Sequence, residues 1–263
     1  MRCAVVGHVE VVEFARVPRW PRAGEIVHAD EVWTEPAGGG AVVARQIALL
    51  AGRCELFTAF GDDDAGRGAV RRLAELGLDV HVQYPHAAAT RRAWTHVDAH
   101  GERTITVLGD KLPPSGPLPL DAYDLVFFVS GDAEALRSAR SARFLAATLR
   151  EQPTLREGDV PLDLLVGSAK DPSERYDGTL DAELVVLTDG ANGGTANGEP
   201  FAATRPPRTI VDTYGAGDSF AAALAFGLAR GDGLAHALGL GARAGAEVLA
   251  GRGPYTSQLA FRR

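Results

Sequence analysis

Short apolar runs, each followed at once by Gly, Ser or Thr, recur along the chain. Five of them cover residues 3–6, 56–60, 125–129, 164–166 and 184–187. Runs that are apolar throughout predict strands buried on both faces of a parallel sheet. Segments with a helical spacing of apolar side chains lie at residues 41–50, 65–76, 133–149, 218–230 and 234–249. This alternation predicts an α/β fold that binds ligands at the edge where its strands end.

Two segments interrupt the alternation. Residues 11–33 and 91–108 are rich in strand-forming residues and lack helical spacing, and residues 98–102 supply a turn within the second segment. The pattern predicts a small β flap inserted into the sheet domain. An edge hairpin with no part in catalysis would have the same pattern.

Composition restricts the class of protein. The 263 residues are 46% hydrophobic and 23% charged, which fits one α/β domain spanning residues 1–263. A net charge of −7 argues against a nucleic-acid partner. No apolar run approaches the roughly 20 residues of a membrane span, so we expect no membrane partner. Cys3 and Cys54 lie in apolar runs and predict buried free thiols, which favours a cytoplasmic protein.

Three consecutive carboxylates, Asp62, Asp63 and Asp64, follow the second predicted strand. An aspartate at a helix start accepts backbone N–H groups and complements the helix dipole, so these residues predict an N-cap. A metal site is the alternative, because adjacent carboxylates also suit a cation.

The most informative segment is residues 212–220, where a glycine turn leads into a predicted helix. Gly215 and Gly217 allow backbone angles and close approaches that other residues do not. Apolar residues follow at helical spacing, at Phe220, Leu224 and Leu228. A helix that begins near Gly217 directs its positive end and several N–H groups at one point. The segment therefore predicts an anion site.

Asp218 places a carboxylate at this predicted anion site. A negative charge there is unfavourable unless it accepts a proton from a group that attacks the anion. Phosphoryl transfer to a hydroxyl needs this combination of base and anion site. The alternative is a glycine turn in which the aspartate only caps the helix and takes no part in catalysis, because such turns have the same short sequence pattern.

Residues 212–218 read Asp-Thr-x-Gly-Ala-Gly-Asp and resemble the C-terminal signature of the ribokinase-like (PfkB) family of carbohydrate kinases. The resemblance implies a three-layer αβα fold with a mostly parallel central sheet and a small β lid. It implies that Asp218 is the catalytic base of an ATP-dependent kinase. By the same resemblance, the amides of Gly215, Ala216 and Gly217 hold the transferring phosphate.

The resemblance also assigns the nucleotide side. Residues 188–193 resemble the family's Thr-x-Gly-x-x-Gly turn, which implies ATP contacts at Thr188 and Gly190, and Asp212 and Thr213 are expected on the same side. Asp171 closes a segment that stands where the family has Asn-x-x-Glu. It is the candidate Mg²⁺ ligand, acting through a water molecule. A requirement for a monovalent cation is left open.

The acceptor side departs from the family pattern. Gly38 and Gly39 lie at its N-terminal glycine signature and are expected to contact the substrate. The position of the family's sugar-binding asparagine holds Val43, and that of its sugar-binding aspartate holds Val12. A site without these polar anchors loses the discrimination that buried hydrogen bonds give.

Three polar residues near the vacant aspartate position are candidate replacements: His8, Glu10 and Glu13. Strand alternation places Glu10 on the same side as Val12, so Glu10 is the preferred substrate-binding candidate. A solvated lid carboxylate is the alternative.

The leading hypothesis is an ATP-dependent kinase for the alcohol of a sugar or sugar-like small molecule, with a homodimer formed through the lid as in the family. One alternative is a non-catalytic ligand binder with the same fold. Another is a kinase for a nucleoside or vitamin-like alcohol, in which Val12 and Val43 face a ring. The chain is short for the family, and we expect a deletion between residues 131 and 163.

Overall fold

The computed structural model describes residues 1–261 and contains two β-sheets with helices around the larger one. The strands are β1 (Cys3–Val6), β2 (Glu10–Arg16), β3 (Glu31–Ala37), β4 (Glu55–Ala59), β5 (Asp79–Gln83), β6 (Arg92–Val97), β7 (Arg103–Leu108), β8 (Leu125–Phe128), β9 (Leu145–Thr148), β10 (Leu162–Ser168), β11 (Ala182–Thr188), β12 (Gly194–Ala196) and β13 (Glu199–Phe201). The α-helices are α1 (Gly39–Ala51), α2 (Asp64–Glu75), α3 (Ala133–Ala139), α4 (Gln152–Gly158), α5 (Ala216–Arg230) and α6 (Leu234–Val248).

The main sheet has nine strands in the order β13-β12-β11-β10-β9-β8-β1-β4-β5. All neighbours are parallel except the pairs that involve β12 and β13. Side chains of β1 alternate between the two faces. Cys3 and Val5 pack in a core with α1, α5 and α6, whereas Ala4 and Val6 pack with α3 on the other face. The three-layer α/β arrangement predicted from the sequence is confirmed.

The helix predicted over residues 133–149 is wrong in its second half. Only Ala133–Ala139 is helical, and Leu145–Thr148 forms β9 between β8 and β10. Leucine and alanine favour helices, but here Ala146 packs on one face of the sheet while Leu145 and Ala147 pack on the other. The two-faced burial of a central strand outweighs the local helical preference.

The second sheet has four strands in the order β3-β2-β6-β7 and comes from the segments predicted to form the flap. The first segment is split, because β2 and β3 lie near its ends and residues 17–30 between them are irregular. On the inner face, Phe14 stacks on Trp33 at 4.9 Å. The outer face leaves Val32, Trp94 and Leu108 exposed. We call this sheet the lid, and a dimer through it stays a prediction.

Two smaller expectations concern burial and the membrane. Cys3 and Cys54 are buried free thiols, as predicted. No helix within residues 1–261 has both the length and the apolar character needed to cross a membrane.

Asp63 is the N-cap of α2, as predicted. Its Oδ1 accepts hydrogen bonds from Gly66 N at 2.8 Å and from Thr90 Oγ1 at 2.7 Å. Its Oδ2 accepts a hydrogen bond from Thr90 N at 2.8 Å. The cap therefore also fixes the segment that leads into β6 of the lid. Asp62, in contrast, is exposed and pairs with Arg67.

We expect Asp63→Ala to lower the free energy of unfolding by about 1–2 kcal/mol, because it removes a helix cap and leaves its N–H donors unpaired. Urea denaturation of the full chain measures the change. The matched control Asp62→Ala is expected to cost less than about 0.5 kcal/mol, since it removes a surface ion pair. Equal losses in the two variants would contradict the assignment.

Candidate active site

Helix α5 begins at a glycine turn. Gly215 is its N-cap with φ of +82°, a left-handed conformation that glycine adopts readily. Within residues 1–261, no side chain caps this helix end. The N–H groups of Ala216, Gly217 and Asp218 therefore lack intrahelical acceptors. A Cβ on Gly217 would have no described heavy atom within 4 Å. The open space in front of these donors has the geometry of an anion site.

Asp218 lies in the first turn of α5 and is partly exposed. Burial raises the pKa of its carboxyl above the ordinary value of an aspartate, and Arg103 and Arg150 act in the opposite direction. A Cβ on Gly39 would lie 3.3 Å from Asp218 Oδ1, so the start of α1 faces the carboxylate. Asp218 can accept a proton from a group held between the two helix ends.

Tyr214 connects the two glycine turns. The backbone N of Gly38 donates to the Tyr214 hydroxyl at 3.2 Å. The Tyr214 ring is buried and meets Phe14 of the lid edge-on, with ring centroids 5.1 Å apart. The turn before α1, the turn before α5 and the lid are therefore held in one unit.

Asp212 is fully buried beneath the anion turn. Its Oδ1 accepts from Tyr214 N and its Oδ2 from Gly253 N, both at 2.9 Å. These contacts hold the turn against the C-terminal segment. A nucleotide contact by Asp212 stays a prediction.

Thr213 contacts the lid. Its N and Oγ1 both donate to Gly101 O at 3.1 Å, and Arg103 Nη1 donates to Thr213 O at 2.7 Å. The hairpin between β6 and β7 thus rests on the segment that forms the anion turn. A contact of Thr213 with the nucleotide stays a prediction.

Thr188 is the last residue of β11 and Gly190 follows it, in the loop where the sequence predicts a nucleotide. Thr188 Oγ1 donates to Gly167 O at 3.2 Å. Gly190 adopts a φ of +58°, and a Cβ there would lie 3.1 Å from Lys170 Nζ. Lys170 also pairs with Asp189 at 3.5 Å. This loop therefore has a cation beside it that suits a nucleotide phosphate.

Asp171 binds neighbouring side chains. Its Oδ1 accepts from Ser173 N and Oγ, and its Oδ2 accepts from Arg150 at 2.8 Å. Arg150 also pairs with Glu174, which is almost fully buried. Among residues 1–261, no group of three or more His, Cys, Asp or Glu side chains is arranged to hold a metal. With both oxygens engaged, Asp171 does not fit direct metal coordination, and its water-mediated role stays a prediction.

The residues predicted to contact the acceptor lie beside Gly38. A Cβ on Gly38 would lie 3.5 Å from His8 Nε2 and 3.6 Å from Glu10 Cγ. Glu10 is 6% exposed and its Oε2 lies 3.0 Å from Arg91 Nε. Burial raises the pKa of the Glu10 carboxyl, and Arg91 opposes this shift. His8 Nδ1 lies 3.0 Å from Ser130 Oγ.

The idea that Val12 and Val43 together face a ring is wrong. Both are fully buried, at 0% and 1% exposure, but in different clusters. Val12 packs with Phe14 and Tyr214 under the lid, whereas Val43 packs in the main core. Val12 lies on the inner face of the lid and Val43 lies in the core beside the main sheet, so the two side chains do not line one surface.

A family model for the pfkB family of carbohydrate kinases matches residues 1–119 and 162–260. The chain belongs to this family. It is therefore a phosphotransferase of the carbohydrate-kinase type, and the glycine turn before α5 lies in the second matched segment. The unmatched residues 120–161 include most of the segment between residues 131 and 163 in which we expect a deletion.

Two curated relatives and one solved structure illustrate the family likeness. The chain is 26% identical over 271 positions to the 5-dehydro-2-deoxygluconokinase of Geobacillus kaustophilus, covering 83% of this chain and 80% of the relative. It is 29% identical over 251 positions to the ATP-dependent ribose-1-phosphate kinase of Halopiger xanaduensis, with coverage of 84% and 83%. The ribokinase structure from Thermotoga maritima matches 98% of this chain and 96% of its own, with a TM-score of 0.78 and 22% identity, which establishes the fold.

Besides Arg91, the partner of Glu10, three residues beside the candidate site were not found from the sequence: Arg103, Ser130 and Arg150. Ser130 could have been found, because it directly follows a predicted strand and the ends of parallel strands are where ligands bind. Arg150 was hidden by the wrong helix over residues 133–149, because a residue just beyond a strand end points to the site only once the strand is recognised. Arg103 reaches the site through the docking of the lid, which no local pattern indicates.

We expect Gly40→Ala to lower the free energy of unfolding by about 1–3 kcal/mol. The new Cβ would lie 2.6 Å from His8 O and 2.9 Å from Gly7 C, and backbone atoms cannot move aside cheaply. The control is Gly239→Ala in α6, where no described atom lies within 4 Å. The control should be neutral or gain up to about 1 kcal/mol. Urea denaturation that ranks the two variants in reverse order would refute the close approach.

Proposed function

We propose that this kinase transfers the γ-phosphate of ATP to a hydroxyl of a sugar or sugar-like small molecule, with Asp218 as general base. One observation carries the proposal. Asp218 is a carboxylate with a raised pKa in the first turn of a helix whose uncapped N–H groups face the same space. A carboxylate repels an anion bound there, so its position is useful when it accepts the proton of an attacking hydroxyl.

In this mechanism the N–H groups of Ala216 and Gly217 hold the oxygens of the transferring phosphate. The acceptor hydroxyl lies between this phosphate and Asp218, attacks phosphorus in line with the leaving ADP oxygen, and gives its proton to Asp218. General-base assistance increases the rate about 10²–10⁴-fold. One hydrogen-bond donor directed at the charge that develops in the transition state contributes about 10²–10³-fold to kcat.

The lid supports the same proposal. Ile105 and Val107 lie on its inner face, in register with Thr95 and Ala93, and stay 38% and 44% exposed. An apolar surface over the cleft lowers the access of water, which would otherwise compete with the acceptor hydroxyl for the phosphate. The contact of Thr213 with Gly101 couples the position of the lid to the anion turn.

ATP would extend from the anion turn towards Thr188 and Gly190, beside Lys170. Magnesium would arrive on the nucleotide phosphates, where it keeps most of its water and needs few protein ligands. Asp171 contributes to this side by holding Arg150, whose charge acts on Asp218.

Glu10 is the proposed contact for acceptor hydroxyls. Its Oε2 is buried and forms no hydrogen bond within residues 1–261, although Arg91 Nε lies 3.0 Å away. An acceptor hydroxyl that donates to this oxygen would satisfy it. This contact would replace the polar anchor that Val12 does not supply.

A panel of sugars, nucleosides and hydroxymethyl heterocycles, assayed for ADP release with ATP and Mg²⁺, tests the function. Acceptor-dependent ADP release with a sugar or sugar-like alcohol supports the proposal. Release only with a nucleoside or heterocycle would assign the second class of acceptor. Ligand binding without ADP release from any member would favour the non-catalytic binder.

We expect Asp218→Asn to lower kcat at least about a hundredfold, because asparagine cannot accept the proton. ATP binding, measured by calorimetry, should stay near that of the unmodified chain, since the backbone donors remain. Asp62→Asn, at an exposed site just before the N-cap of α2, is the matched control and should keep full turnover. Unchanged turnover in Asp218→Asn would remove this residue from the role of base.

The pH profile gives a second test of Asp218. A carboxylate acts as a base only when it is deprotonated, so kcat/KM should fall as the pH drops through the pKa of Asp218. Because that pKa is raised, the fall should occur above about 3.9, the ordinary aspartate value. Arg103→Gln removes a charge that lowers this pKa and should move the acid limb to higher pH. Arg103→Lys keeps the charge and should leave the limb in place. A limb that moves to lower pH in Arg103→Gln would contradict the assignment.

A further inference from the structure

The loops that follow β1 and β8 lie side by side at the edge of the main sheet. Val6 is in register with Phe128, and Phe128 with Ala147 of β9. His8 N donates to Ser130 Oγ at 2.7 Å. The residues that follow β9 reach the same edge, next to this contact.

Three cationic side chains, which we call the cationic cluster, surround this edge: Arg91, Lys111 and Arg150. Each pairs with a glutamate, in the pairs Arg91–Glu10, Lys111–Glu151 and Arg150–Glu174, and Arg150 also pairs with Asp171. The glutamate side chains are only 8%, 7% and 8% exposed, whereas the cations are 17%, 35% and 57% exposed. The carboxylates therefore lie inside and the cations nearer to solvent.

Geometry links the cluster to His8 through Arg91, because its partner Glu10 and His8 both lie beside Gly38. The pKa of His8 is lowered to about 3, first by burial and then by Lys111, Arg91 and Arg150. His8 is thus neutral at pH 7 and can donate or accept a hydrogen bond. The three cations come from distant parts of the chain, namely the segment before β6, the loop after β7 and the residues after β9.

The pair at the centre of the cluster is incompletely satisfied. Arg91 Nε and Glu10 Oε2 are buried, and neither has a hydrogen-bond partner among the described residues despite their 3.0 Å separation. Buried polar atoms without partners are uncommon in native structures and need an explanation. A ligand with both hydroxyl donors and an anionic group would supply partners to both sides of this pair.

The cluster is separable from the site of the transferred phosphate. Arg103 and Arg150 act on Asp218, whereas Arg91 and Lys111 act with Arg150 on His8. Arg150 lies between the two groups. A neutral polyol needs a mixture of donors and acceptors and gains little from three cations, while a phosphate or carboxylate accepts several charge-assisted hydrogen bonds from them.

We propose that the acceptor carries an anionic group, a phosphate monoester or a carboxylate, that binds at Arg91, Lys111 and Arg150 beside His8. This inference rests on the proposed kinase function and specifies the chemical class of its acceptor. The buried glutamates hold the cations in place before the ligand arrives, so little ordering is needed on binding.

Matched ligands test the inference on the unmodified chain. Calorimetry compares the affinity for ribose with the affinities for ribose 5-phosphate, ribonate and inorganic phosphate. A second series makes the same comparison for glucose, glucose 6-phosphate and gluconate. At least one anionic ligand should bind about tenfold or more tightly than its neutral counterpart, which corresponds to about 1.4 kcal/mol. The phosphate and carboxylate members show which source of charge is recognised. Equal or tighter binding of the neutral member in both series would overturn the inference.

The double variant Lys111→Gln/Glu151→Gln removes one ion pair without changing the net charge. It should reduce the preference for the anionic member about tenfold and raise its KM, with KM for ATP unchanged. The control, Arg156→Gln/Asp177→Asn, removes an ion pair beside the start of β10, at the opposite edge of the sheet, and should keep the preference. A change in KM for ATP alone would assign the cluster to the nucleotide and overturn the inference.

The two proposals fail in different ways. Equally efficient phosphorylation of neutral and anionic acceptors would reject the anionic acceptor and keep the kinase. Selective binding of an anionic member, with no ADP release from any acceptor, would reject the kinase activity and keep the binding site.

Discussion

The start of α1 lies against the ends of β1 and β8 at a distance that only glycine permits. A Cβ on Gly7 would lie 2.9 Å from Gly40 Cα, and one on Gly40 would lie 2.6 Å from His8 O. Because no side chain separates these segments, the turn before α1 reaches the anion turn of α5. The hydrogen bond to Tyr214 and the approach to Asp218 both come from neighbouring residues of this turn. The geometry of the whole site therefore depends on this backbone contact.

Charge is arranged differently at the two ends of the site. In the cationic cluster, each nearly buried glutamate has a cation in contact, which offsets the cost of removing a carboxylate from water. Asp218 forms no ion pair within residues 1–261, and Arg103 and Arg150 act on it from a longer distance. Burial then dominates and raises the pKa of Asp218, which is consistent with its proposed role as general base.

The sequence predicted the parts of the molecule that depend on local pattern. Doubly buried strands such as Cys3–Val6 and the helix after Gly215 have unambiguous signals, and the cap at Asp63 follows from its position at a helix start. The strand Leu145–Thr148 was missed because its leucine and alanine also suit a helix, and only its neighbours in the sheet decide. The convergence of the cationic cluster was equally hidden, since it depends on how separate loops pack.

The two ends of the site also differ in how freely their sequence can vary. The anion turn presents backbone N–H groups and a left-handed glycine, a conformation that residues other than glycine rarely adopt. The proposed acceptor end would work through side chains from separate segments, such as Glu10, Arg91 and Lys111, and loop segments vary more among sequences than the elements they connect. A match at residues 212–218 therefore identifies the reaction class. The acceptor must be inferred from the charges and hydrogen-bonding groups that surround His8.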